Sequence, residues 1–503
     1  MAQSMRALTL YLMSAIVLSC ALAHSHPDFR DETLSERLSK VHLYSNPNRP
    51  LKMTVSKTLP KHTKVKCEQI DGLAGIHYRS CQVENLCFLI RPVRWFNINP
   101  ESFVQDDGEY WVNVAGAPGF SVSSMMKNIS YDPQAAIGAD GAVLNISTPA
   151  MIFSRFIPGN FFHRIHEDFL PLILQIAAHE ELHGDANQDP RLLVMADGSG
   201  ADYHDSFYSL IGSVIHMDQF NAADLGSEAT PKAICFTNAF VGVPTKSLWY
   251  HSGLDAMNYK AETLFPTSVI DHTLVILTDW VKSKLNMPSY DSASIAELYA
   301  AILDDSARAF SSADIPRLKL TVIRRERYRK IRNESALLDA LRATFPMIEV
   351  AILSEDNQTS TVDVIKAAAS SFAIIGVHGA LLASAIFMPK GSMLVEIMPF
   401  AVSNTVMGYY KTLGNFPTLG LHYRGMMSAG GDEHGPWDQE RVNCLDVLPP
   451  SYQQGVKSNS SIPNFPCCFN IFWHYRSGQD VEADIPFVIR SLKEMMQEEI
   501  NQR

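Results

Sequence analysis

The second half of the chain alternates short apolar runs with helical patterns in strict order. LKLTVIRR reads as a strand, ESALLDALRATF as a helix, IEVAILS as a strand and TVDVIKAAAS as a helix; FAIIGV, ALLASAIF and MLVEIM follow as strand, helix and strand. The strand segments are short and mostly apolar, while the helix segments repeat their apolar positions every three to four residues. A β-α-β-α-β-α-β order predicts a parallel sheet covered by helices on both faces. The first half is less regular. Short runs such as CFLIRPVRWF, EYWVNVAG and AVLNIS read as strands and loops, and a long helical pattern starts near residue 166. RLLVMADG then reads as a strand, DSFYSLIGSVI as a helix and KAICFTNAFVG as a further strand. Residues 266–308 are helical by period, and PFVIRSLKEMMQEEI predicts a closing helix.

This pattern predicts an α/β protein of two Rossmann-like domains facing each other across a cleft. The expected divisions are a stem over 24–65, an N-terminal domain over 66–265, a helical connector over 266–312 and a C-terminal domain over 313–440, with a Cys-containing segment and the closing helix over 441–503. Residues 1–23 carry Arg6, a run of apolar or small residues and the Ala21-Leu22-Ala23 pattern, which fits a cleaved signal peptide or an uncleaved signal anchor. Either sends the following residues into the secretory lumen. A length of 503 residues, 46% apolar and 19% charged, is that of an ordinary globular protein. The net charge of −11 argues against duplex nucleic acid as a partner.

Sequons stand at Asn128, Asn145, Asn333, Asn357 and Asn459. Asn333 heads ESALLDAL as a natural N-cap, which leaves the other four as glycosylation candidates. Cys67, Cys81 and Cys87 cluster early; Cys444, Cys467 and Cys468 cluster late; Cys235 stands alone. That distribution predicts a few disulfides in a large domain rather than a disulfide scaffold.

Candidate chemistry gathers at strand ends. Parallel sheets bind ligands beyond the carboxyl ends of their strands. His378 stands at such an end, with Gly379 allowing close approach and the helix from Ala380 offering free N–H groups to a phosphate. Glu396 ends the next strand and suits a ribose. The alternative is a satisfied core histidine and a surface carboxylate. VIRRERYRKIRNE places Arg324, Arg325, Arg327, Arg329, Lys330 and Arg332 past another strand end, either as phosphate ligands or as a solvated basic loop. His166-Glu167-Asp168 precedes a helix, with Asp168 suited to an N-cap or the cluster to a catalytic base. HEELH at 179–183 matches the H-E-x-x-H zinc pattern of metalloproteases, although Gly184 ends the helix at once.

IGVHGALLASAIFMPKGSMLVEIMPF resembles the central signature of the family 61 glycosyltransferases. The likeness to members acting on O-mannose extends in order through HEDFLPLILQ, CFTNAFVG, the RNE strand end, PFAV followed by YYKTLG, GPWDQ, the Cys467-Cys468 pair and DIPFVI. The resemblance implies a GT-B fold, a UDP-GlcNAc co-substrate, inversion at the anomeric carbon and a β-1,4 linkage. It implies no metal or other cofactor, and an O-mannosylated glycoprotein acceptor such as dystroglycan. It further implies a type II membrane address on the lumenal face of the endoplasmic reticulum, or a soluble lumenal protein if the signal is cleaved.

Those members carry a fibronectin type III domain after the catalytic region, and the chain is expected to lack it. On this reading Arg325, Arg329, His378, Gly379, Ala380, Glu396 and Lys411 hold the donor, and Tyr410 and Thr412 add contacts on that side. Trp437 and Asp438 line the acceptor side, and His166, Glu167 and Asp168 supply the base. Members using another acceptor or sugar, such as EGF-domain O-GlcNAc or xylosyl transfer, share the central signature alone. They stay as an alternative, with a zinc protease or a non-catalytic glycan-binding protein further off.

Overall fold

The structure is a computed structural model that describes residues 52–57, 59–60, 64–71, 77–90, 93–96, 137–138, 141–153, 155, 159–170, 172, 192–196, 205–216, 231–241, 267–288, 290–304, 318–355, 359–399, 410–428 and 479–502. Its class is α/β, built on two sheets among those residues. The first contains β1 (Met53–Ser56), β2 (Lys64–Asp71), β3 (His77–Ile90), β4 (Val93–Phe96), β5 (Val143–Ile146), β6 (Ala150–Phe153), β7 (Leu192–Met195), β8 (Ser213–His216) and β9 (Ala233–Val241). β9 is its hub. One edge pairs antiparallel with β3, and the other runs parallel to β5 and then to β6. β7 and β8 continue outward from β6, both parallel. Cys87 and Cys235 face each other across β3 and β9 and form a disulfide, so Cys235 does not stand alone.

Three expectations for this half need correction. The helix expected from 205 to 215 ends at Tyr208, as α2 (Asp205–Tyr208), and Ser213–His216 is a strand. Gly212 interrupts the helical period, and Val214-Ile215 suit the pairing that β7 offers. The helix expected near 166 starts earlier, as α1 (Phe161–His163) running into a π-helical stretch, Arg164–Phe169. Its N-cap is Asn160, whose side chain accepts from the His163 amide at 3.3 Å, and not Asp168. β1, within the expected stem, pairs antiparallel with β5.

Two helices, α3 (Thr267–Lys284) and α4 (Ser292–Leu303), occupy the expected connector. The second sheet follows: β10 (Lys319–Arg325), β11 (Val350–Glu355), β12 (Ser371–Val377), β13 (Met393–Met398) and β14 (His422–Met427), every pair parallel. Around it lie α5 (Glu334–Thr344), α6 (Thr361–Ala369), two 3-10 helices (Ala380–Phe387 and Thr412–Asn415) and α7 (Ile485–Asn501). The α6 start is fixed by a capping box between Ser360 and Asp363.

Every residue of β12 and β13 is buried, as a parallel sheet covered on both faces requires. On one face Ile375, Val395 and Ile397 pack with Leu337 and Leu341 of α5 and with Leu492, Met495 and Met496 of α7. On the other, Ile323, Ile374 and Leu394 pack with Ile365 of α6 and with Ile386 and Phe387. That second cluster is continuous with the core of the first sheet, reaching Phe153, Phe169 and Leu193. Asp271 of α3 strengthens the junction, accepting from the backbone amides of Thr418 and Leu419 at 2.8 and 2.9 Å.

Among the described residues no helix is long and apolar enough to cross a membrane. The apolar N-terminal stretch, the HEELH segment, Trp437, Asp438, Asn128, Asn357 and Asn459 lie outside them.

Candidate functional site

The spatial order of the second sheet is β11-β10-β12-β13-β14. The chain leaves β10 to one side for β11, then returns past it to β12. The crevice at the carboxyl ends of β10 and β12 is therefore the topological switch point, where open parallel sheets hold ligands. β10 ends at Arg325 and β12 at Val377, immediately before His378.

Four expected residues meet there. Arg325, 8% exposed, lies so close to Gly379 that a Cβ at that glycine would stand 2.1 Å from Arg325 Nη1. Gly379 has φ 171°, ordinary extended backbone, so glycine is required by the guanidinium's approach and not by the chain's conformation. Arg325 Nε donates to the Tyr328 carbonyl at 3.2 Å, and its guanidinium stands 5.1 Å from the Tyr328 ring. Arg329 stands 5.5 Å from the same ring, and its Nη1 donates to the His378 carbonyl at 2.7 Å. Arg329 holds the left-handed region at φ 59°, a conformation costing a non-glycine residue about 1–3 kcal/mol. Tyr328 thus gathers two guanidinium groups beside His378 and Gly379, a use for that ring which the basic run alone concealed.

The rest of the basic run is placed differently. Arg324 forks onto Glu334 of α5, a structural ion pair. The Lys330 amide donates to Asp480 at 2.9 Å. Asn333 does occupy the N-cap position of α5, but its side chain makes no cap bond. It instead exchanges hydrogen bonds with the Ala483 backbone, at 2.8 and 2.9 Å.

Glu396 is not a surface carboxylate; it has no exposed area. Its Oε1 lies 2.5 Å from His378 Nδ1, and its Oε2 accepts from the Tyr423 hydroxyl at 2.6 Å. Burial lowers the His378 pKa, opposed by Glu396 and aided by Arg329 and Arg325, so the ring is neutral near pH 7. Burial and the Glu396 charge push the Tyr423 phenol well above its usual range, keeping it a donor. Tyr423 lies on β14, an edge strand that its polar sequence HYRGMM hid from periodicity.

Ala380 opens a 3-10 helix rather than the expected α-helix. ALLASAIF has no polar face and is buried from Leu381 onward, so packing rather than amphipathic winding sets its form. Tyr410 donates from its hydroxyl to the Gly379 carbonyl at 2.7 Å, and its ring lies 5.6 Å from that of His378. Lys411 follows it, exposed.

The π segment reaches this site from the first half of the chain. Phe162 stacks on His166 at 4.8 Å and meets Tyr410 edge-on at 6.2 Å. Glu167 lies on the same segment. His166 and Asp168 are both fully buried. Asp168 accepts from the Tyr208 hydroxyl at 3.2 Å. Burial, then the Asp168 charge, raises the Tyr208 pKa far above the phenol range, while Arg164 and Arg155 pull it down. Arg164 Nη1 in turn donates to Thr361 at the start of α6, at 2.5 Å. Asn145, the one glycosylation candidate among the described residues, sits inside β5, with its amide nitrogen donating to Ser56 at 2.8 Å.

Residues 161–395 match the model of a family described as Glycosyltransferase 61. The chain is similar to protein O-linked-mannose beta-1,4-N-acetylglucosaminyltransferase 2 of Mus musculus and of Homo sapiens. It is 29% identical to each over 353 residues, covering 69% of this chain and 54% of the relative. The protein of the same name from Xenopus tropicalis is 26% identical over 350 residues, 68% of this chain and 54% of the relative. The chain thus spans about half the length of the curated relatives it matches.

Proposed function

We propose that the protein is a family 61 glycosyltransferase that moves GlcNAc from UDP-GlcNAc to O-linked mannose on a secretory-pathway protein, a reading that the family match over residues 161–395 supports. The observation that carries the reading is the close seat of Arg325 on Gly379, with Arg329 bound to the His378 carbonyl, at the switch point of the second sheet. Two guanidinium groups beside an opened strand end suit a diphosphate, and the first N–H groups of the 3-10 helix add a partial positive charge. The names of the relatives support GlcNAc as the sugar and O-mannose as the acceptor.

The two sheets are taken as the halves of a GT-B enzyme, the second holding the nucleotide and the first the acceptor. Inverting transfer needs one base to deprotonate the acceptor hydroxyl and a stabiliser for the departing UDP. Arg325 and Arg329 serve the second need, with no metal required. The base is assigned to the π segment, among His166, Glu167 and Asp168, which Phe162 and Tyr410 connect to the donor side. A β-1,4 linkage, a lumenal endoplasmic-reticulum address, an N-terminal anchor and a dystroglycan-like acceptor complete the proposal.

A panel of UDP-sugars with an O-mannosyl peptide tests it. UDP release with UDP-GlcNAc, dependent on the mannosyl peptide, supports the reading. Release with another sugar, or onto an EGF-like acceptor, replaces it with a different family 61 transfer. Loss of transfer with intact UDP binding is expected in His166→Ala and Asp168→Asn; full activity in both removes the base from those two residues.

A further inference from the structure

Tyr423 on β14, Glu396 inside β13 and His378 just past β12 form a hydrogen-bonded line across three neighbouring strands. Glu396 is flanked in register by Gly376 on β12 and Gly425 on β14, so neither neighbour puts a side chain beside it. The carboxylate is left to the two groups that reach it, the Tyr423 hydroxyl at 2.6 Å and His378 Nδ1 at 2.5 Å. A carboxylate with no exposed area is costly unless its oxygens are satisfied, and these two contacts supply that.

We infer that Tyr423 and Glu396 are positioning residues: they hold His378 in its Nδ1-protonated tautomer and so present Nε2 as a hydrogen-bond acceptor to a hydroxyl group of the bound sugar nucleotide. This rests on the transferase reading of the site. A carboxylate accepts on both oxygens, so with the Tyr423 hydroxyl donating to one, Nδ1–H is the donor that suits the other. A neutral imidazole then carries its lone pair on Nε2. The groups facing His378 are Glu396 from β13, Arg325 at the end of β10, Arg329 from the turn after it, and the Tyr410 ring. The two cations disfavour a third positive charge on the imidazole. His378 is therefore an acceptor among donors, which suits it to a hydroxyl proton where Arg325 and Arg329 suit phosphate oxygens.

Two substitutions move the site in opposite directions. Tyr423→Phe removes a donor from Glu396, so its charge falls more heavily on His378 and the imidazole takes a proton at higher pH. The acid limb of the pH profile for UDP-GlcNAc use should rise by roughly 1 pH unit. Glu396→Gln removes the charge that favours the imidazolium, so the limb should fall. The tautomer is also no longer fixed, and KM for UDP-GlcNAc should rise more than kcat drops.

The experiment combines these profiles with 15N NMR of histidine-labelled full-length protein at neutral pH, the His378 signal being identified by its loss in His378→Gln. The expected result is a protonated Nδ1 and an unprotonated Nε2 in the wild type, with profile shifts of opposite sign in the two variants. An Nε2-protonated or doubly protonated His378 overturns the positioning role, whatever the variants do. Unshifted profiles in both variants overturn it as well. A wild-type protein that transfers no sugar from any donor overturns the transferase reading, and with it the hydroxyl-acceptor role.

Discussion

Gly379→Ala separates a steric requirement from a conformational one. At φ 171° and ψ 169° the backbone accepts any residue, so the substitution adds no strain of its own. The new methyl group would lie 2.1 Å from Arg325 Nη1 and 3.3 Å from Cζ, where ordinary contact begins at 3.4 Å. The guanidinium must retreat by more than an ångström. Its Nε bond to the Tyr328 carbonyl, already 3.2 Å long, would weaken with it. If Arg325 grips a phosphate oxygen, losing that charge-assisted bond costs about 1.5–3 kcal/mol, or roughly 10- to 150-fold in UDP affinity. The fold should be nearly untouched, because the displaced atoms end a flexible side chain; the melting temperature should fall by no more than about 2–4 °C. Calorimetric titration with UDP, beside a thermal melt, measures both. Wild-type UDP affinity in a normally folded Gly379→Ala protein would refute the assignment of Arg325 to the diphosphate, and Arg325→Ala should then also bind UDP normally.

Asp271→Ala removes the acceptor for the Thr418 and Leu419 amides and should lower stability by about 2–4 kcal/mol, read by urea unfolding. Arg164→Met breaks the buried bond to Thr361 and should cost about 1–3 kcal/mol, with faster hydrogen exchange in the first turn of α6. Cys87→Ser opens the tie to Cys235 and should cost about 2–5 kcal/mol; reduced wild-type protein should melt close to the variant.

The second sheet was legible almost in full, since each of β10 to β13 is a mostly apolar run between helical segments. β14 was not: HYRGMM is a half-buried edge strand whose polar residues divide, Tyr423 reaching Glu396 while His422 and Arg424 pair with Glu499 and Glu498 of α7. The first half was harder, because its strands are four residues long in six cases among the described residues and β9 divides its pairing between β5 and β6. Residues with a backbone signature, such as Gly379 after a strand, were found from sequence alone. Glu396 was expected at the end of its strand but lies inside β13, fully buried, and its bonds to His378 and Tyr423 depend on the glycines that flank it in register. Tyr328 and Tyr423 had no local signal. Tyr328 matters through its neighbours Arg325 and Arg329, whose packing on Gly379 and bond to the His378 carbonyl arise only in the fold, and Tyr423 through Glu396, 27 residues away.

The central claim is a location, the switch point between β10 and β12. A crystal structure of the protein with UDP-GlcNAc or UDP measures it directly. The account predicts diphosphate oxygens within about 3 Å of the Arg325 and Arg329 guanidinium groups, over Gly379 and the first turn of the 3-10 helix. A nucleotide bound at the carboxyl ends of the first sheet, with the Arg325 and Arg329 pair unoccupied, would contradict it.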